Sequence, residues 1–334
     1  MPEVLIIGGG VAGLEAALTL AEHEIESVII EKELRLGGKA SLYNCKAVDG
    51  VCQACGACLA GQRVRAVEEQ ELVKALVAAR VAGMRNLQDG LEVDVETPNG
   101  RLTFQVRGII VAAGIDTFSP ALRAEFGYSH LPGVVTALEI EGIIRESPEI
   151  LGESPRLAFI QCFGSREVGA GVPYCSRVCC LYVPKLAGLV KGELPGSRVD
   201  IYFMDRQRYE ALYRPKTSFC THIRAMPSKV HLMGSKELEV IYDDPETRKP
   251  TARRYDWVVL CPALVPGKDL PSLASLLELG TGRGGFLQVG AGGTTNRDRV
   301  LAAGACTGPM SIIESIASGR AAAGKMASEL RRQR

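Results

Sequence analysis

The chain opens on Val4-Leu5-Ile6-Ile7-Gly8-Gly9-Gly10-Val11-Ala12-Gly13, an apolar run leading straight into G-x-G-x-x-G. Few patterns constrain a fold more tightly when the flanks agree. Here they do. Val4–Ile7 reads as a buried strand, Gly13–His23 carries Leu14, Ala17, Leu18, Leu20 and Ala21 at helical spacing, and Val28–Ile30 reads as a second strand. Gly8 permits the tight turn, Gly10 lets the backbone approach a pyrophosphate, and Gly13 allows close helix–strand contact. The N–H groups around Val11 and Ala12, at the helix start, face the phosphates. Glu31, 18 residues beyond Gly13, is placed to bind ribose hydroxyls. A strand–turn–helix–strand unit that clasps a dinucleotide is the expectation.

The rest of the 334 residues must complete that sheet and add a second unit. Apolar residues make up 46% and charged residues 23%, which excludes global disorder. With 39 basic against 38 acidic residues, the net charge of +1 argues against a nucleic-acid binder. No apolar run approaches the roughly 18 residues of a spanning helix, and the first strand leaves no room for a leader, so a cytoplasmic protein without an integral membrane segment is expected. We expect a helix near residues 68–84, antiparallel strands Leu91–Thr97 and Arg101–Val106 turned at Pro98-Asn99-Gly100, and a buried strand at Gly108–Ala113. Strands at Leu157–Gln161, Val199–Met204 and Trp257–Leu260 read as a second α/β unit, and a helix from about Ser311 to Leu330 closes the chain. The expected division is 1–120 with 276–334, and 121–275.

After Glu31 comes Lys32-Glu33-Leu34-Arg35-Leu36-Gly37-Gly38-Lys39. An acid followed closely by Gly-Gly resembles the two-dinucleotide-binding-domain flavoproteins of thioredoxin-reductase type, in which this segment lies along FAD. Ile109-Ile110-Val111-Ala112-Ala113-Gly114 and Leu301-Ala302-Ala303-Gly304-Ala305-Cys306 resemble two further signatures of that family. The resemblance implies an α/β fold with a Rossmann-type FAD domain and a second α/β domain. Beyond the glycine loop it implies cofactor contacts at Glu31, Lys32, Gly38, Lys39, Ala113, Gly114, Gly304, Ala305, Ser311 and Ile312. Ala305 stands where that family carries an aspartate bound to the ribityl chain. A second G-x-G-x-x-G for a nicotinamide cofactor is absent, since Cys162-Phe163-Gly164-Ser165-Arg166-Glu167 follows the strand at 157–161.

Eleven cysteines are an odd count for a disulfide framework, and in a reducing compartment clustered thiols bind metal or do redox work. Cys45, Cys52, Cys55 and Cys58 include a C-x-x-C-x-x-C run whose spacing suits three ligands of an iron–sulfur cluster. Zinc, redox-dithiol and inert readings share that spacing. Cys162, Cys175, Cys179 and Cys180 form the second group. Placing a helix at about 176–190 sets Cys175 just before it and Cys179 one turn on, with both thiols facing one way. Iron–sulfur ligation is the expectation there. Cys220, Cys261 and Cys306 are single and read as core residues, and the four histidines show no metal-binding spacing.

Phe159-Ile160-Gln161-Cys162-Phe163-Gly164-Ser165-Arg166, followed by Pro173-Tyr174-Cys175-Ser176-Arg177-Val178-Cys179-Cys180, closely resembles the A-type subunits of heterodisulfide reductase, and the likeness runs from Gly8 to Gly308-Pro309-Met310-Ser311. It implies one [4Fe-4S] cluster on Cys162, Cys175, Cys179 and Cys180, while a second, on Cys45–Cys58, rests on their spacing alone. It makes Lys185 the lysine that approaches flavin N5, although Pro184 departs from the expected pattern. The short A-type form found in sulfur-oxidising heterodisulfide-reductase-like complexes is the one most resembled. The implied protein is an FAD- and iron–sulfur-dependent electron-transfer oxidoreductase in sulfur metabolism, a homodimer working with partner subunits or electron carriers. The alternative is a stand-alone disulfide reductase or sulfide-oxidising flavoenzyme using thiols among Cys45–Cys58.

Overall fold

The computed structural model describes residues 2–207 and 218–332. The chain divides into two compact units: Met1–Leu42, Gly56–Asp116 and Val265–Arg334 form unit 1, and Tyr43–Cys55 with Thr117–Leu264 form unit 2. The breaks after Asp116 and Leu264 lie 4 and 11 residues before the expected ones at 120 and 275. The short Tyr43–Cys55 segment, expected with the first domain, groups with unit 2.

Unit 1 is built on a parallel five-stranded sheet in the order Val300–Ala302, Gly108–Val111, Val4–Ile7, Ser27–Ile30, Val73–Leu76. The central strands are buried on both faces, which is why they read as unbroken apolar runs. Helices Val11–Glu22 and Ile312–Arg332 cover one face, burying Leu14, Leu20, Met326 and Leu330. The other face carries helix Leu270–Leu276 and an antiparallel sheet of Arg80–Asn86, Leu91–Thr97 and Gly100–Val106. The turn at Pro98-Asn99-Gly100 joins the last two strands as expected, with Thr97 opposite Gly100. The buried Glu15 ties three helices together by accepting hydrogen bonds from Arg63 and Arg320.

The expected helix near 68–84 is not there. Helix Ala57–Glu68 starts at the end of the cysteine run and includes Cys58, and Val73–Leu76 and Arg80–Asn86 are strands. Parallel pairing of Val73–Leu76 onto Ser27–Ile30 decides this, since a sheet edge overrides the weak helical preference of Lys, Ala and Leu.

Unit 2 repeats the parallel design in the order Cys220–Ile223, Arg198–Tyr202, Arg156–Phe163, Trp257–Pro262, Val134–Thr136. Helices Ala137–Glu146 and Cys179–Glu193 pack on the sheet through Ile140, Ile144, Val183, Leu186 and Val190. The sequence did not announce the antiparallel sheet of Pro227–Met233, Glu237–Asp243 and Pro250–Tyr255, whose exposed positions mix Lys229, Arg253 and Arg254 with apolar Leu232 and Met233. Among the described residues no helix is long and apolar enough to cross a membrane.

Helix Ala137–Glu146 begins on a reciprocal capping box. The Glu139 N–H donates to Thr136 Oγ1 at 3.2 Å, and the Thr136 N–H donates to Glu139 Oε2 at 2.6 Å. Burial works against the Glu139 carboxylate, yet hydrogen bonds from Thr136 and Tyr128 hold its pKa below the ordinary value. Its contribution is therefore complete above the ordinary carboxylate range and is lost as pH falls through the depressed value. Thr136→Ala is expected to cost about 1 kcal/mol, read as a lower urea midpoint for unit 2 at neutral pH. The penalty should shrink in acid once Glu139 is protonated.

Candidate functional site

The glycine loop of unit 1 is shaped for close backbone approach. Gly8 has φ +107, and a Cβ there would lie 2.4 Å from the Ala112 carbonyl oxygen. A Cβ on Gly13 would lie 2.0 Å from the Gly8 carbonyl oxygen. Gly10 differs, because the space its Cβ would enter is open, and it heads helix Val11–Glu22 with no side-chain cap. The first-turn N–H groups of Val11, Ala12 and Gly13 thus meet no capping side chain. This arrangement fits a pyrophosphate.

Glu31 is buried at 6% exposure and fastens the loop. Its Oε2 accepts from the Gly9 N–H at 2.6 Å and its Oε1 from the Glu33 N–H at 2.8 Å. A carboxylate has about four acceptor sites, so capacity remains for ribose hydroxyls. Gly38 passes close to the loop, its missing Cβ 2.9 Å from the Gly10 Cα. Ala113 and Gly114 continue from strand Gly108–Val111, with Gly114 at φ +72 over open space.

The other expected cofactor contacts are engaged within unit 1. Lys32 pairs with Asp269 at 2.6 Å and Lys39 with Asp116 at 2.8 Å. Ser311 and Glu314 cap the closing helix reciprocally, at 2.7 and 3.2 Å, and Ile312 packs with Val11, Ala40 and Ala60. Gly304 sits at φ +72 with its N–H donating to Ser318 Oγ at 3.0 Å, and Ala305 lies in the short turn that follows. Sequence reading passed over Ser318 and Gly319. A Cβ on Gly319 would lie 2.2 Å from the Ala12 carbonyl oxygen, so the closing helix touches the start of the dinucleotide helix at its backbone. Two adjacent small residues within an amphipathic helix were the available signal.

In unit 2, strand Arg156–Phe163, helix Cys179–Glu193 and strand Arg198–Tyr202 form the same strand–helix–strand unit, but cysteines occupy its turn. A register shift between Ile160 and Phe163 leaves Cys162 at φ +59, which re-aims its side chain. The chain then makes a loop closed by Ser165 Oγ, which donates to the Tyr174 carbonyl at 2.8 Å and accepts from the Ser176 N–H at 3.2 Å. That closure returns Cys175 toward Cys162. The helix begins at Cys179 rather than near 176, so the expected one-turn relation of Cys175 to Cys179 does not hold. A left-handed Arg177 (φ +64) makes the connection instead, and Cys179 and Cys180 open the helix. Pro184 lies within the helix and supplies no N–H to the Cys180 carbonyl.

The four thiols are electrostatic neighbours. Hydrogen bonding to Cys179 holds the Cys162 thiol below its ordinary pKa and brings Cys180 down to about 6. Sharing its proton with both pushes Cys179 well up, and burial raises Cys175. Backbone N–H groups face three of the sulfurs: Met204 toward Cys162, Arg177 toward Cys175 at 3.3 Å, and Gln207 toward Cys180. Arg166, paired with Asp205 at 2.7 Å, adds positive charge beside Cys162 and Cys175. Among the described residues no set of three or more His, Cys, Asp or Glu side chains is arranged around a point that would hold a metal ion. An all-thiol set with N–H donors suits a cubane cluster chemically.

The other expected group is divided between the two units. Cys45, Cys52 and Cys55 lie in the Tyr43–Cys55 segment of unit 2, whereas Cys58 is the second residue of helix Ala57–Glu68 in unit 1. Cys45, Cys52 and Cys58 are exposed and Cys55 half-buried. Cys261 and Cys306 are core residues, and Cys220 is partly exposed. Lys185 is nearly buried on helix Cys179–Glu193, and its ammonium donates to the Ala54 carbonyl at 3.0 Å.

Residues 6–77 match the family model of an NAD(P)-binding Rossmann-like domain. Among solved structures, thioredoxin reductase of T. acidophilum superposes with a TM-score of 0.64 over 98% of both chains at 19% identity. That of Lactococcus lactis gives 0.64 over 98% of this chain and all of the other, also at 19%. The fold is therefore that of the thioredoxin-reductase-like proteins with two dinucleotide-binding domains. Among curated proteins, the second iron–sulfur A-type subunit of CoB–CoM heterodisulfide reductase from Methanopyrus kandleri is 29% identical across 98% of this chain and 64% of its own length. The A-type subunit of the H(2):CoB-CoM heterodisulfide,ferredoxin reductase from Methanothermobacter marburgensis is 27% identical across 97% and 63%. Its counterpart in the H(2)/formate:CoB-CoM heterodisulfide,ferredoxin reductase of Methanococcus maripaludis is 34% identical across 68% and 37%. The chain thus spans less than two thirds of the length of these relatives. With a two-unit flavoprotein-like fold whose second turn carries cysteines, this protein is similar along nearly its whole length to the heterodisulfide reductase A-type subunits.

Proposed function

We propose that the chain is an electron-transfer oxidoreductase subunit, with FAD in unit 1 and one [4Fe-4S] cluster on Cys162, Cys175, Cys179 and Cys180. Its partners are other subunits of a heterodisulfide-reductase-like complex or electron carriers, and its setting is disulfide and sulfur-compound metabolism in the cytoplasm, as a homodimer. The observation that carries the reading is the gathering of those four thiols in the turn where unit 2 would otherwise clasp a second dinucleotide. With cysteines filling that turn, a nicotinamide donor has no phosphate loop in unit 2, and electrons come from a protein or carrier partner.

A bound flavin accepts electrons in pairs and gives them up singly, which suits a protein that joins a two-electron couple to a one-electron centre. The chain's residues would do the rest. Gly8, Gly10 and Gly13 admit the pyrophosphate, and Glu31 holds the loop while keeping acceptor capacity for the ribose. The N–H donors of Met204, Arg177 and Gln207 and the charge of Arg166 stabilise negative sulfur and so raise the reduction potential of what those sulfurs hold.

Protein purified without oxygen should hold about four irons and four sulfides per flavin. Cys179→Ser with Cys180→Ser should lose the iron and keep the flavin. Iron unchanged in that double variant overturns the ligand assignment, and flavin without iron in the parent overturns the electron-transfer reading. Gly10→Ala, which enters open space, should cost under about 1 kcal/mol in stability. It should nonetheless weaken flavin retention by about tenfold on dilution. Gly13→Ala should destabilise unit 1 by about 3 kcal/mol through the clash with Gly8.

A further inference from the structure

Unit 1 has a second opening, at the end of its sheet away from the glycine loop. The glycine loop follows the last residue of strand Val4–Ile7, and Gly108–Val111 and Val300–Ala302 run parallel to that strand. A cavity of about 460 Å³ lies instead where Val300–Ala302 begins. Thr294, Thr295, Asp298 and Arg299 line it from the loop ahead of that strand, and Glu329 and Arg332 from the last turn of the closing helix. The loop is held by its own hydrogen bonds. Thr295 Oγ1 donates to the Val300 carbonyl at 2.7 Å and accepts from the Arg297 N–H at 3.1 Å, and Thr294 Oγ1 donates to the Ala291 carbonyl at 3.2 Å. Gly293, whose missing Cβ would lie 2.3 Å from the Ala302 carbonyl oxygen, seats the loop against the strand. The cavity is therefore formed before any ligand arrives, and its size is that of a small-molecule site.

The charges around it are unevenly matched. Arg297 also borders the cavity, but its guanidinium donates to Glu278 and to Asn86 Oδ1. Glu329 is matched by Lys325 at 3.7 Å, one turn before it. Among the described residues Arg299 and Arg332 pair with no carboxylate, and Asp298 pairs with no cation. Arg299 also stands at φ +63, an uncommon backbone state for a residue with a side chain, while its carbonyl accepts from the Ile109 N–H at 2.8 Å. Such outliers cluster at binding sites. Two guanidiniums suit a phosphate, which each can meet with two N–H groups at once. A carboxylate beside them only accepts, so it suits hydroxyls, and the threonine hydroxyls keep acceptor capacity of their own. We propose that this cavity binds a small sugar phosphate, with the phosphate on Arg299 and Arg332 and the sugar hydroxyls on Asp298 and Thr294. The site is separate from the glycine loop and from the cysteine turn, and it does not rest on the electron-transfer reading.

The experiment titrates ribose 5-phosphate into the full chain by calorimetry, with the flavin bound so that the glycine loop is filled. Saturable binding with a Kd of about 1 mM or tighter is expected for a ligand of this size. Arg299→Asn keeps a residue that accepts the left-handed backbone. Combined with Arg332→Gln, it should weaken binding by about tenfold or more. Asp298→Asn should weaken ribose 5-phosphate but not inorganic phosphate. Circular dichroism identifies a double variant that has lost its fold, and Arg332→Gln alone, at the exposed end of the helix, then replaces it and should still weaken binding. No saturable binding up to about 10 mM, ten times the expected constant, overturns the proposal. So does binding unchanged in the folded arginine variants, or ribose bound as tightly as ribose 5-phosphate. Protein that purifies without flavin is titrated as it stands, with the same variants locating the ligand. Loss of flavin or iron bears on the proposed electron-transfer function alone, so the two fail separately.

Discussion

The Gly8 carbonyl oxygen passes so close over Gly13 that no side chain fits between them. That approach lets helix Val11–Glu22 leave the first strand at once and lie flat on the sheet, with Leu14 and Leu20 sealed beneath it. Once it is in place, Glu31 can reach back across the sheet edge to the Gly9 N–H. Gly319 can then bring the closing helix onto the Ala12 backbone. The approaches at Gly13 and Gly319 set backbone against backbone where a side chain is missing, so they have no slack to absorb a methyl group. Rigidity at the loop and openness over Gly10 are two sides of one requirement. A phosphate has to meet N–H groups that are already aimed.

Unit 2 uses the same strand–helix–strand frame for a different end. Its turn does not clasp by glycines. It is lengthened, closed on itself by Ser165 and Ser176, and entered through a bulged Cys162. The sheet order and the helix behind it remain those of a doubly wound domain, so the chemistry at the strand ends changed without changing the scaffold.

What was legible in the sequence follows from how local the causes are. The glycine loop, the buried parallel strands and the Pro98-Asn99-Gly100 turn are set by neighbours in the chain, and they stand where the pattern put them. The stretch around Val73 and Met84 misled because a partner strand, invisible locally, chose its state. The helix after Cys175 was started too early because Arg177 takes a left-handed conformation that no composition rule anticipates. The cysteine spacing at residues 45–58 suggested one set of ligands, and it did not show that a boundary between the units falls between Cys55 and Gly56. The side chain that holds the Ala54 carbonyl, between Cys52 and Cys55, is Lys185, 131 residues further on, and no spacing rule reaches that far.

The division of unit 1 into three stretches also bears on how the chain acquires its structure. Strand Gly108–Val111 lies beside Val300–Ala302 in the finished sheet, and nearly all of unit 2 lies between them in sequence. The long strand–helix–strand run of unit 2 is almost continuous and can condense on local contacts. The first sheet, by contrast, keeps an unpaired edge at Gly108–Val111 until the closing stretch of the chain arrives. Closing so long a loop costs only about 0.6 kcal/mol per doubling of its length, but it delays the contact that rewards it. During synthesis the apolar Ile109-Ile110-Val111 edge is therefore the segment most in need of shielding, and the surroundings of the dinucleotide loop beside it are completed only once Val300–Ala302 and Gly319 have been made.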